Sequence, residues 1–514
     1  MQAGFKVLAD RYGIALAQPL RVESVIGTTR MIRESNGHIE RKYPASYRPA
    51  DDFAGHFEFG LKYEEIHLEF FARLFAATGP EPIEAWSRQA PFGQYARRTG
   101  FLYEWLTGQQ LDVPDVTNGG YVDAISSQHY LTRVEPLRVR RWRINDNLPG
   151  VPAFSPLIRR TEAVQQALQF DLDAALRELN QTFGADILMR TASWLTFKES
   201  RASFLIEREA DKADRIQRFA HVIAKYCGHI EDPLSSDSLH MLQAGILGHE
   251  ALGLGLRRSP VFVGQATMRE DIVHYIAPPF EALTQLLDGL NAFELATRGA
   301  EPLARAAAIA FAFVYIHPMR DGNGRIHRFL INDILIRDKA VPDGVILPVS
   351  ATITSSIDFR ARYDRTLEVF SRPFMQRYAA SSRFGELVVY EDGTPSNLVF
   401  DDYDDAQFAW RYPDLTEHVL YTAQVVEHTV RNEMADEARV LITFQRAQEQ
   451  LKEVLEMPDQ DANRIIRSLK ENGWQVSGKL KQAYPQLEDA HRAKRVVEAV
   501  RSAFDERKMA SGEE

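Results

Sequence analysis

Residues 317–328 read HPMRDGNGRIHR and follow directly on the apolar run LARAAAIAFAFVYI at 303–316. Proline is unfavourable inside a helix, so Pro318 predicts that the apolar helix ends near His317. Asp321-Gly322-Asn323-Gly324 is turn chemistry, with two glycines free to take positive φ and leave backbone N–H groups open. IHRFLINDILIR at 326–337 then resumes helical periodicity. The expectation is helix, tight loop, helix, with the loop at the N-terminus of the second helix, where an anion is favoured.

The side chains sharpen that expectation. Arg325 and Arg328 stand at i and i+3 in the first turn of the second helix and share a face. Two fork-shaped cations beside a backbone nest at Gly322 and Gly324 suit a polyphosphate. Asp321 is the oxygen ligand expected for the Mg²⁺ that accompanies a nucleotide, an ion that takes only one or two carboxylates. His317, with a near-neutral side chain just before the loop, stands where a general base belongs. Together these residues describe a phosphate-transfer site.

The segment resembles the Fic-family signature His-Pro-Phe-x-Asp/Glu-Gly-Asn-Gly-Arg-x-x-Arg, departing from it at Met319, where the family carries Phe. Methionine fills a similar volume and serves as the apolar anchor under the loop. The resemblance implies a mainly α fold: a Fic-type helical core with a short β-hairpin flap, flanked by mostly helical N- and C-terminal domains. It also implies transfer of AMP from ATP to a Ser, Thr or Tyr hydroxyl of a target protein, with Mg²⁺ as cofactor. Carried over, His317 deprotonates the hydroxyl, Asp321 holds Mg²⁺, and Asn323 orients the α-phosphate. Gly322 and Gly324 form the anion hole, Arg325 binds the departing pyrophosphate and Arg328 reaches the γ-phosphate. With both glycines present and arginine rather than lysine at 325, the resemblance implies adenylyl transfer rather than phosphoryl or phosphocholine transfer. His327 falls at a variable position and reads as structural; two histidines ten apart without a third ligand make a poor zinc site.

Many members of that family carry an inhibitory helix, Ser/Thr-x-x-x-Glu-Gly/Asn, whose glutamate pairs with the second arginine. KESRASFLIERE at 198–209 contains Ser203 and Glu207 at i and i+4, on one helix face, with Arg208 in place of Gly or Asn. The resemblance implies a brake built from Ser203 and Glu207; the plainer reading is an ordinary amphipathic helix. The flap stretch GLRRSPVFVGQ at 255–265 resembles an edge that aligns a target backbone by strand addition, and equally suits a simple hairpin connector.

At 514 residues the chain exceeds a single compact core. The pattern divides into a mostly helical segment of unassigned role at 1–185, a Fic core with its upstream inhibitory helix at 186–375, and a hairpin with helices at 376–514. Within the first, 64–78 places Ile66, Phe70, Leu74 and Phe75 on one stripe, and 97–108 is a helix closed by Gly108. GELVVYEDGTPSNLVF at 385–400 is a hairpin around Asp392-Gly393, helices follow from about 415, and the terminal MASGEE at 509–514 is frayed.

A formal charge of -10 argues against a nucleic-acid partner. RVEPLRVRRWR at 133–143 carries five arginines against one glutamate; it reads as a phosphate or acidic-partner patch or, preferably, as a stretch compensated by nearby acids. Cys227, the only cysteine, reads as a small buried apolar residue in a reducing compartment. With no signal-like start and no apolar run of roughly 20 residues, the expectation is a cytoplasmic protein without membrane contact. GWQVSGKL at 473–480 lacks the Ser or Thr of a P-loop, having Leu480 instead. Fic cores often dimerise, so the resemblance admits a homodimer. Three functions remain open: an adenylyltransferase restrained by Glu207, an enzyme that removes AMP with Glu207 positioning water, and a non-enzymatic nucleotide-binding regulator.

Overall fold

The computed structural model describes residues 1–35, 37–184, 186–209, 212–266 and 271–511, so the whole of the expected flap stretch at 255–265 is described, while the last part of the terminal MASGEE lies outside the described residues. Two compact units result. The first comprises Met1–Phe170, Ser200–Asp343 and Val349–Val426; the second comprises Asp171–Glu199, Gly344–Pro348 and Glu427–Glu514.

The first unit opens with a four-stranded sheet of β1 (Gln2–Ala3), β2 (Val22–Gly27), β3 (Met31–Ser35) and β4 (His38–Pro44), in the order β1-β2-β4-β3. β2 and β4 are parallel, while β3 pairs antiparallel with β4. The unit also holds an aromatic core that includes Phe5, Phe57, Phe70, Phe71 and Phe75. Its phenylalanines come partly from α1 (Leu68–Thr78), where Phe70 and Phe75 lie on the stripe expected from periodicity with Leu74, whereas Ile66 precedes the helix and Phe71, off the stripe, is buried as well. α2 (Gln94–Thr107) ends at Gly108 in the left-handed region, φ 69°, as its position predicts.

The arginine-rich stretch contributes to a small sheet of β5 (Val122–Asp123), β6 (Leu137–Val139) and β7 (Ile144–Asp146). Trp142 is buried, with its indole donating to Glu104 at 2.7 Å. Arg141 pairs with Glu104 at 2.9 Å and Asp115 at 2.6 Å, and Arg143 donates to the Val116, Thr117 and Gly119 carbonyls. These arginines are spent on local acceptors, as the compensated reading anticipates.

α3 (Ile187–Ile206) begins in the second unit and ends in the first. It is followed by α4 (Ser236–Leu247), the flap strands β8 (Phe262–Ala266) and β9 (Asp271–Ile276), α5 (Leu283–Ala296), α6 (Pro302–Ile316) and α7 (Asn323–Arg337). α6 is apolar almost all round and almost wholly buried, which makes it the central helix of the unit. Its exception, Arg305, is paired with Glu294 at 3.1 Å and Asp338 at 2.6 Å. α8 (Ile357–Tyr378) runs through Pro373 and leads into the hairpin β10 (Ser382–Val389) and β11 (Pro395–Phe400). That hairpin braces the base of the flap: Asp392 accepts from the Arg258 N–H at 2.8 Å and the Ser259 hydroxyl at 2.9 Å, and Phe384 packs edge-on against Phe262.

The second unit has its own core, including Leu451, Ile465, Ile466, Leu469, Leu487 and Val500. Within it Lys198 pairs with Glu433 at 2.8 Å and Glu437 at 2.6 Å. The P-loop-like stretch is a helix start there, with Ser477 capping Gly478–Ala483. Cys227 is buried in the first unit. Among the described residues no helix is long and apolar enough to cross a membrane.

Two histidines make the first core acid-sensitive. His327 on α7 donates through Nδ1 to the Ala310 carbonyl at 2.8 Å. His418 on α9 (Thr416–His428) meets the Tyr315 hydroxyl through Nε2 at 2.7 Å. Burial pushes His327 down to about 4 and His418 down to about 3, against the smaller opposing pull of Glu207 on the one and Asp414 on the other. A histidine kept neutral in the fold takes up a proton on unfolding. Its contribution to stability is therefore intact above pH ~6.5 and lost as pH falls, by about 1.4 kcal/mol per pH unit for each ring. Asn at 327 and Gln at 418 keep the two hydrogen bonds without titrating. Urea unfolding at pH 7, 6 and 5 is expected to show the double variant losing stability more slowly, by up to ~3 kcal/mol per pH unit. Equal slopes would refute it.

Candidate active site

α6 terminates in a left-handed residue, His317, at φ 48° and ψ 56°. That conformation costs an L-residue about 1–2 kcal/mol, so its neighbours must hold it. The His317 N–H donates to the Phe313 carbonyl at 3.0 Å, and its own carbonyl accepts from Arg257 Nε at 2.8 Å. The ring Nδ1 lies 3.2 Å from the Val314 carbonyl, which assigns the proton to Nδ1 and leaves Nε2 with a lone pair. Burial, and then the Arg257 charge, push the imidazole down to about 4. The ring is therefore neutral near pH 7, as a base must be.

The loop after it is stitched by side chains. Asn323 accepts from the Met319 N–H at 3.1 Å and donates to the Met319 carbonyl at 2.7 Å. Met319 is fully buried and bridged to Leu256, taking the anchoring place expected of it. Gly322, at φ 94°, caps α7 in the left-handed region that glycine takes without penalty. Gln243 on α4 donates to the Asp321 carbonyl at 2.8 Å and accepts from the Gly255 N–H at 2.7 Å, joining the loop to the chain that enters the flap.

The two arginines are buried and occupied. Arg328 donates to the Ser203 hydroxyl at 2.8 Å, the Ser203 carbonyl at 3.2 Å and Glu207 Oε1 at 2.7 Å. Burial raises the Glu207 carboxyl, but Arg328, with Arg325 and Arg360 beyond it, outweighs that and holds it below its ordinary value. Glu207 also explains Gly324: a Cβ there would stand 2.2 Å from Glu207 Oε1. Arg325 lies over the Phe204 ring and bonds Glu209 at 2.9 Å and Asp321 at 2.8 Å.

The structure thus brings together His317, Asp321, Gly322, Asn323, Gly324, Arg325 and Arg328 with Ser203 and Glu207 from the end of α3. His327 stands apart, its ring edge-on to Phe311. Asp321 is half exposed and spends Oδ1 on the Gly322 N–H and Arg325. One accessible carboxylate at the head of a helix fits Mg²⁺, whose remaining ligands would have to come from a bound substrate and water. Among the described residues no group of three or more His, Cys, Asp or Glu side chains could hold a metal by itself. Gln243, Arg257 and Glu209 were not singled out from sequence. Only Glu209 carried a local signal, two residues beyond Glu207 at the end of the same helix.

Arg208 acquires a physical meaning here. It sits at φ 61°, with its N–H donating to the Leu205 carbonyl at 3.1 Å and the Glu209 N–H donating to the Phe204 carbonyl at 2.9 Å. This is a left-handed helix-capping turn, in which Gly or Asn is the comfortable residue.

Comparison with known proteins bears on the same segment. Residues 233–335 match the model of the Fic/DOC family. Two curated relatives, both named protein adenylyltransferase fic-1, come from Caenorhabditis briggsae, 34% identical over 155 residues, and Caenorhabditis elegans, 33% identical over 157. Each match covers 29% of this chain and 27% of the relative, so the chain spans about a quarter of the length of the curated relatives it matches. Among solved structures, a Fic family protein from Desulfovibrio desulfuricans G20 is 18% identical with a TM-score of 0.37, covering 64% of this chain and 87% of that one.

Replacing Arg208 with glycine should relieve the left-handed backbone and stabilise the first unit by about 1 kcal/mol, whereas valine should destabilise it by at least as much. Chemical denaturation of the three proteins side by side decides; a valine variant as stable as the glycine one refutes the assignment.

Proposed function

We propose that this chain, which carries a Fic/DOC family domain at residues 233–335, moves AMP from ATP to a Ser, Thr or Tyr hydroxyl of a target protein. The observation that carries this reading is an imidazole with an unprotonated Nε2 at His317, at the head of the loop that enters α7, whose first turns hold the buried Arg325 and Arg328. The target oxygen attacks the α-phosphorus, its proton passes to His317 Nε2, and the bond from phosphorus to the β-bridging oxygen breaks to release pyrophosphate. The backbone around Gly322 and Gly324, at the positive end of α7, faces the charge that builds on the α-phosphoryl oxygens. Asn323 orients the α-phosphate through the loop it staples, Arg325 binds the departing pyrophosphate and Arg328 the γ-phosphate. Asp321 would hold Mg²⁺, which when bound offsets charge across the phosphates.

In this reading Ser203 and Glu207 are a brake, because Glu207 occupies the arginine that the γ-phosphate needs. A charged glutamate whose side chain is 34% exposed also suits a second reading, in which Glu207 positions water to remove AMP from a modified target.

Purified wild type, Glu207→Gly and Glu207→Gly/His317→Ala are incubated with Mg²⁺ and ATP labelled on the α-phosphate, in buffer and in lysate, beside a γ-labelled control. Glu207→Gly is expected to raise protein labelling about tenfold or more, and loss of His317 to cut it by roughly 10²–10⁴. Equal labelling by wild type reduces α3 to an ordinary helix. Label from γ-phosphate alone would mean phosphoryl transfer. Binding of ATP without transfer by any variant favours the regulator, and AMP release that is lost in Glu207→Gly favours removal.

A further inference from the structure

We propose that Arg257 is the positioning residue of this site, its guanidinium fixing the His317 carbonyl and thereby the left-handed turn that aims the imidazole. Arg257 is 2% exposed. Nε donates to the His317 carbonyl at 2.8 Å, Nη1 to the Ser259 carbonyl at 3.0 Å and Nη2 to the Pro278 carbonyl at 2.6 Å. Its own N–H donates to the Pro318 carbonyl at 2.9 Å. Every one of these acceptors is backbone, and among the described residues no carboxylate lies within ion-pair distance of it.

A buried cation without a counter-ion lowers stability, and a methionine or leucine would fill the same space without that cost. Burial accordingly draws the Arg257 guanidinium down to about 10. What arginine alone supplies is a rigid planar fork with several directed donors. Here the fork ties three stretches that are distant in sequence: the entry to the flap at 257–259, its exit at Pro278, and the carbonyl of the base. The backbone at His317 is uphill by about the same conformational step that its release would recover. Without the fork, φ is free to return to negative values, toward the extended region that a residue before proline prefers, and the ring swings away from the loop stapled by Asn323. A displacement of about 1 Å at a reacting group is enough to lower a rate roughly 10²-fold.

The activity arm of the test rests on the adenylyl-transfer reading; a second arm does not. In the Glu207→Gly background, Arg257→Met should lower kcat for AMP transfer roughly 10²-fold with the KM for ATP changed less than about threefold. Arg257→Lys, which keeps the charge and one donor, should recover about a tenth of the parental rate. Independently of activity, hydrogen exchange of the peptide spanning 314–322 should quicken in Arg257→Met and, less so, in Arg257→Lys. If the methionine variant does not fold, the lysine variant's exchange and kcat decide. Unchanged exchange at 314–322, or a rise in KM for ATP that matches the loss of kcat/KM, overturns the proposal. Faster exchange in a protein whose Glu207→Gly parent transfers no AMP would instead leave the positioning role standing and remove the reaction assigned to it.

Discussion

The loop at 317–323 joins two helices, α6 and α7, that are buried along almost their whole length, and its own buried residues, Pro318, Met319, Gly322 and Asn323, leave much of its backbone unable to rely on water for hydrogen bonds. Side chains supply them instead. Arg257 reaches the His317 carbonyl, Asn323 both polar groups of Met319, and Gln243 the Asp321 carbonyl. Each arrives from a different element, so the loop is over-determined. A left-handed histidine persists there because several partners hold it in place.

The arginines obey the same accounting with charge added. A buried guanidinium whose anionic partner is removed costs about 3–5 kcal/mol, so Arg328 strongly favours having an anion beside it. In this structure that anion is Glu207, supplemented by the Ser203 hydroxyl; Arg325 faces Glu209 and Asp321. Carboxylate and phosphate oxygens are alike as acceptors, so one can replace the other without leaving the cation bare. The proposed brake is therefore an exchange of anions, and a nucleotide affects it only so far as it binds one state better than the other.

Much of this was legible in the chain because it is local. A proline after an apolar helix, glycines at fixed offsets and arginines three apart are all consequences of helix and turn geometry within twelve residues. The hairpin at Asp392-Gly393, the closing Gly108 and the i, i+4 pair Ser203–Glu207 are local in the same sense. What escaped was non-local. Arg257 lies 60 positions from the carbonyl it holds, and Gln243 lies 78 from Asp321. An arginine beside another arginine before a proline, or a glutamine in an apolar helix, has no periodicity that marks it. The parallel pairing of β2 with β4 around β3 is likewise a matter of register between separate segments.

Arg208 shows how a departure from the expected pattern can leave the arrangement intact. Its side chain is exposed, so the substitution brings no clash; the cost is confined to the backbone, about 1–2 kcal/mol. The turn it caps closes with hydrogen bonds at both 208 and 209, which satisfy carbonyls the helix would otherwise leave open. The reversal at 208 also sets the residues on either side of it toward the same helix. Glu207 meets Arg328 and Glu209 meets Arg325, so two carboxylates two apart on the turn match two guanidiniums three apart on α7. A right-handed continuation of α3 would carry 207 and 209 about 200° apart around its axis and break that match. The left-handed residue at 208 is thus what lets one helix end address both arginines at once.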